Sequence, residues 1–190
     1  MNLYFLVEGK TESKLYPKWL KHLIPELSRI YAPGDADKNN DFLISGGGFP
    51  HLLYRRLPDS IDDVNGSANY DYLVLCLDAD EQSVTERLEE VNQFVHNEGL
   101  TLNNCELKII VQNRCIETWL LGNRIVYPRQ PVTPEFIEYA KFYNVSINDP
   151  ELMGIAPNFD THAQFHLDYL KAMLLERNIR YTKNHPREVV

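Results

Sequence analysis

Tyr72-Leu73-Val74-Leu75-Cys76-Leu77-Asp78-Ala79-Asp80-Glu81 is the stretch on which the fold turns. Its first six residues are apolar without the alternation of a half-solvated strand. Such a run reads as a strand buried on both faces, as in a parallel sheet. It then breaks into three carboxylates within four residues. A second stretch has the same form: Leu3-Tyr4-Phe5-Leu6-Val7 runs into Glu8-Gly9-Lys10-Thr11-Glu12. Parallel sheets place their chemistry at the carboxyl ends of their strands. Two such strands side by side gather Glu8, Asp78 and Asp80 at one edge. Carboxylates brought together repel, so they hold either protons or a cation. Oxygen-only donors suit Mg²⁺ or Mn²⁺.

Spacing adds detail to this edge. Asp78 and Asp80 are two apart, and strand periodicity aims both the same way. Glu8 and Glu12 are four apart across a strand-to-helix turn, so they share a face if helical geometry begins near Gly9. Four carboxylates are enough for one ion, or for the two used in phosphodiester displacement.

Outward from these strands the elements alternate. A helix opens at Thr11, with Leu15, Trp19 and Leu23, and with Tyr16, Leu20, Ile24 and Leu27, at helical spacing. Phe42-Leu43-Ile44 is a short strand ended by the turn Gly46-Gly47-Gly48. Residues 50–57 read as a helix led by Pro50, and residues 58–70 as a polar loop. Ser83 and Glu86 form a capping box ahead of Val84, Leu88, Val91 and Val95. Residues 107–111 read as a strand and Ile116–Leu121 as a short helix. This alternation implies an α/β fold, a parallel sheet with helices on both faces. After Gly122, Thr133 caps a helix bearing Phe136, Ala140 and Tyr143, and Thr161 with Gln164 opens the last one. The expected organisation is a domain over residues 1–123 and a helical C-terminal extension over 124–190. His162 and His166, four apart on that last helix, read as a surface pair.

Composition narrows the classes. A hydrophobic fraction of 44% supports a packed core. Three cysteines without paired spacing suit a reducing cytoplasm. No apolar stretch has the length of a membrane span, so no membrane association is expected. The net charge is −8, but its distribution is uneven. Residues 59–90 hold ten acids and one base, whereas residues 171–190 hold five bases and two acids. A polyanion could meet the basic regions while a metal screens the acidic one.

A Glu at the end of the first strand with Asp-x-Asp at the end of the third resembles the TOPRIM domain. That family is shared by topoisomerases, bacterial-type primases and the overcoming-lysogenization-defect nucleases. Val7-Glu8-Gly9-Lys10-Thr11-Glu12 is most similar to the nuclease branch, where a second acid follows the first by four. Arg114-Cys115-Ile116-Glu117-Thr118-Trp119-Leu120-Leu121 resembles a Glu-x-Trp-Leu-Leu segment of small stand-alone bacterial TOPRIM-like proteins. Tyr181-Thr182-Lys183 resembles a lysine-bearing tail in the same group. The resemblance implies a TOPRIM-like sheet and a Mg²⁺- or Mn²⁺-dependent nuclease acting on DNA or RNA, in phage defence. Glu8, Asp78 and Asp80 would ligate metal and carry catalysis. Glu12, Glu81 and Glu117 would complete the shell, and Lys183 would neutralise transition-state charge. Members of the nuclease branch often carry an ATPase domain. The chain has no Gly-x-x-x-x-Gly-Lys-Ser/Thr loop, so that activity would come from a separate partner. Two other readings stand: nucleotidyl or phosphoryl transfer on a small nucleotide at the same site, and a non-catalytic sensor or binding subunit of a defence complex.

Overall fold

A computed structural model describes residues 1–186; Arg187 and Glu188, counted above in the C-terminal charge, lie outside them. The chain divides into two compact units, one of Met1–Leu77 with Thr85–Val111, the other of Asp78–Val84 with the chain from Gln112 onward.

The first unit is built on a five-stranded parallel sheet. Its strands are β1 (Leu3–Val7), β2 (Ser28–Arg29), β3 (Asn40–Ser45), β4 (Tyr72–Asp78) and β5 (Glu106–Gln112), in the order β2-β3-β1-β4-β5. β1 is central: Val7 stands opposite Ser45 on one side and Cys76 on the other. All five of its residues are buried, as the unbroken apolar run requires. Alternation sends them to two faces. Tyr4 and Leu6 join Leu73 and Leu75 in a core with Leu57, Ile61 and Val64 of α2 (Leu57–Ser67) and Val91 of α3 (Val84–Asn97). Phe5, aimed the other way, meets the ring of Tyr16 on α1 (Glu12–Leu23) at 6.2 Å. Helices therefore cover both faces. Each fully buried Leu in this core contributes roughly 1.5–3 kcal/mol of transfer free energy.

Two local expectations are corrected. α1 ends at Leu23 rather than running through Leu27, and Ser28–Arg29 pairs with β3 instead. Pro25 explains the stop, since it disfavours helical geometry at Ile24, whose φ is −135° and ψ 70°. Residues 58–67 are helix, not polar loop. The wider π turn Leu52–Arg56 leads into α2, and Leu57 N–H reaches back to the Leu52 carbonyl. Pro58 has no N–H and its ring crowds the carbonyl four residues back, so a widened turn before it relieves the clash. The buried stripe Leu57, Ile61, Val64 then holds α2 against the sheet.

The second unit packs α4 (Ile116–Leu121) and α5 (Pro134–Phe142) against α6 (His162–Leu175). Phe165, Tyr169, Leu170, Met173 and Leu174 of α6 are fully buried. Their rings pack edge to face with α5, Phe136 on Tyr169 at 5.8 Å and Tyr139 on Phe165 at 5.4 Å. The Thr161 hydroxyl accepts from Gln164 N–H and caps α6 as its sequence signature predicts. Among the described residues no helix is long and apolar enough to cross a membrane.

Candidate active site

In the first unit, β1 delivers Glu8 and the turn after it delivers Glu12. The glycine segment after β3 braces this turn: Gly46 N–H donates to the Val7 carbonyl (2.7 Å) and Gly48 N–H to the Glu8 carbonyl (2.9 Å). Gly47 and Gly48 have φ of +80° and +94°, which glycine adopts without strain. Phe49 N–H approaches Glu8 Oε1 at 3.4 Å. Glu12 opens α1, where an acid complements the helix dipole, and it is buried. Its Oε2 lies 3.0 Å from the point where a Cβ on Gly9 would stand, so glycine makes room for the carboxylate. Burial, with the Glu12 charge adding to it, pushes the Cys76 thiol up to about 12. Glu12 therefore bears electrostatically on Cys76 of β4.

In the second unit, Asp78 closes β4 and the chain keeps its hydrogen bonds one step further. Ala79 N–H donates to the Gln112 carbonyl (2.9 Å) and Asp80 N–H to the Arg114 carbonyl (2.8 Å). Asp80 itself has φ +53°, a left-handed conformation that costs a non-glycine residue about 1 kcal/mol. The strand alternation expected to aim Asp78 and Asp80 alike therefore stops short of Asp80. Arg114 steadies the segment by donating to the carbonyls of Asp80 (3.3 Å) and Gln82 (3.2 Å).

Glu117 and Lys183 meet. Glu117 sits in the first turn of α4, fully buried. Tyr181 O–H donates to its Oε1 at 3.0 Å, and Lys183 Nζ lies 3.7 Å from the same oxygen. Glu117 Oε2 is buried and has no hydrogen-bond partner among the described residues. The Cys115 thiol is raised by burial first, then by the charges of Glu117 and Asp78, so both acids bear on one side chain.

Glu81 is engaged elsewhere. It accepts from His162 N–H (2.7 Å) and pairs with His162 Nδ1 (2.6 Å) at the start of α6. Burial would raise its carboxyl, but those bonds outweigh it and hold it below the ordinary range. His166 is not a surface residue as expected. It is fully buried, with Nδ1 2.7 Å from the Thr118 hydroxyl, which also accepts from Cys115 N–H. Burial, with the neighbouring His162 charge, lowers its pKa to about 4. The spacing of His162 and His166 gave no sign of this network, because only the fold supplies Thr118 and Glu81 as partners. Tyr181 was quoted only as part of the lysine-bearing segment, and its bond to Glu117 had no signal in the sequence.

Among the described residues, no group of three or more His, Cys, Asp or Glu stands ready to hold a metal ion. The donor chemistry nevertheless fits a hard cation: the candidate ligands are all carboxylates, and Glu117 Oε2 is a buried oxygen without a hydrogen bond among the described residues. Comparison of the chain with family models, with curated proteins and with solved structures gives no match.

Proposed function

We propose that the protein is a Mg²⁺- or Mn²⁺-dependent phosphodiesterase of TOPRIM type acting on nucleic acid. The observation that carries this reading is the pairing of β1 with β4. Val7 and Cys76 are opposite in parallel register, and the chain runs from them directly into Glu8 and Asp78. Carboxyl ends of adjacent parallel strands are where such folds keep their chemistry. Glu8, Asp78 and Asp80 are the proposed ligands, with Glu12 and Glu117 behind them. A bound divalent cation would polarise the phosphate and lower the pKa of attacking water. The chain's own residues do the rest. Tyr181 and Lys183 hold one oxygen of Glu117 and leave the other facing the buried interior. Lys183, 60% exposed, brings a cation that can offset charge developing on a phosphate. Purified protein with Mn²⁺ at low salt should nick plasmid or degrade RNA, and Glu8→Gln should stop it. No cleavage of any nucleic acid, with metal demonstrably bound, sinks the reading.

The partners of Glu81 and Glu117 favour a second reading, in which these acids organise loops in a non-catalytic binding subunit of a defence complex. It predicts nucleic-acid binding that is insensitive to Asp78→Asn and unaccompanied by turnover in the presence of any ATPase partner.

A further inference from the structure

The chain carries a net charge of −8, yet a cavity of about 1120 Å³ in the second unit is lined by four cations. Arg124 and Arg129 come from the segment after α4, Lys141 from α5 and Arg177 from just beyond α6. None of the four has an ion-pair partner among the described residues. One carboxylate, Glu176, is among the described lining residues. Its oxygens accept from Val132 N–H, Thr133 N–H and the Thr133 hydroxyl, so they are committed to the start of α5. Arg177 donates to the Ile125 carbonyl at 3.3 Å, and a guanidinium carries five N–H donors, so others remain for a ligand.

The cavity also has an aromatic wall. Tyr127 is half-buried, with its ring 5.5 Å from that of Phe136, and it lines the same space. The volume exceeds the roughly 300–1,000 Å³ of ordinary small-ligand sockets. Cations spread over three segments suit consecutive phosphates better than one, and an aromatic face among them suits a stacked base. None of Glu8, Asp78, Asp80 and Glu117 lines it.

We propose that this cavity binds the phosphate backbone of single-stranded nucleic acid. The proposal rests on the phosphodiesterase reading for the use made of the strand, but the binding needs neither the metal nor the carboxylates. The test is fluorescence anisotropy of a labelled single strand of about 20 nucleotides, long enough for one such groove, in EDTA. The proteins are wild type, Arg129→Gln/Lys141→Gln, the charge-matched control Lys21→Gln/Lys38→Gln, and Asp78→Asn. All four substituted lysines and arginines are exposed, so the folds should survive, as thermal melts will check. The cavity variant should bind at least tenfold more weakly, and the slope of log affinity against log salt should fall by about 1.4, or 0.7 per lost contact. The control and Asp78→Asn should match wild type. If the double variant fails to fold, Lys141→Gln alone should lower the slope by about 0.7. Binding by Asp78→Asn without cleavage by any protein leaves this proposal standing while the phosphodiesterase reading falls. Equal binding by cavity and control variants, no binding by wild type at low salt, or displacement of the strand by equal phosphate equivalents of AMP or inorganic phosphate overturns it.

Discussion

Lowering the pH should destabilise the protein through His166. The buried imidazole has a pKa of about 4, against an ordinary value of 6.5. The unfolded chain therefore takes up this proton first as pH falls. The stability that neutral His166 provides is fully present above about pH 6.5 and is lost as pH falls from there toward about 4. The whole shift is worth roughly 3 kcal/mol, since each unit is about 1.4 kcal/mol. By about pH 5 roughly 2 kcal/mol of it is gone, because the unfolded imidazole is then almost fully charged. For a chain of this length that corresponds to about 4–8 °C in Tm. Glu81, held below the ordinary carboxyl range by its bonds to His162, adds a pH dependence of its own, so the assay is a difference. Urea unfolding at about pH 8 and about pH 5 is compared in wild type and in His166→Gln, which keeps a polar partner for Thr118 without the titration. Wild type should lose about 2 kcal/mol more than the variant between the two values. Equal losses would refute the reasoning, because they would mean that burial does not hold His166 neutral.

Three further outcomes follow from single contacts. Gly46→Ala should cost about 1–3 kcal/mol in urea unfolding, since the new Cβ would stand 2.2 Å from Leu52 Cδ1 and 3.0 Å from its Cα. Tyr181→Phe should lower Tm by removing the donor to buried Glu117, a charged bond worth about 1.5–3 kcal/mol, and an unchanged Tm would contradict the contact. Thr161→Ala should cost about 1 kcal/mol through the lost cap of α6, read in the same melts, while Thr161→Asn should restore most of it.

The sheet was legible because its central strands must be apolar on both faces, and only residues such as those of 3–7 and 72–77 can satisfy that. α2 was hidden because Asp59, Asp62 and Asp63 crowd its exposed face and Pro58 sits at its start, so the stripe of Leu57, Ile61 and Val64 looked like isolated residues in a loop. Asp78 and Asp80 were recognisable as strand-end acids, but not the left-handed turn at Asp80, since nothing local distinguishes that backbone from an extended one. The acids divide by what surrounds them: Glu117 is buried under Tyr181 and Lys183, which lie more than sixty residues away in the chain. Glu81 is drawn to His162 over a similar separation. Such long-range partners leave no periodic trace in sequence. The basic run near the C-terminus was visible as composition, but its Arg177 needed the fold to stand with Arg124, Arg129 and Lys141 around one cavity.

The central claim is that Glu8, Asp78 and Asp80 hold a divalent cation at the ends of β1 and β4. Titration calorimetry of the full chain with Mn²⁺ tests it most directly. Wild type should bind with measurable heat, and Asp78→Ala/Asp80→Ala should lose that heat while keeping the circular dichroism of the folded protein. No binding by wild type, or equal binding by a folded double variant, would contradict the account.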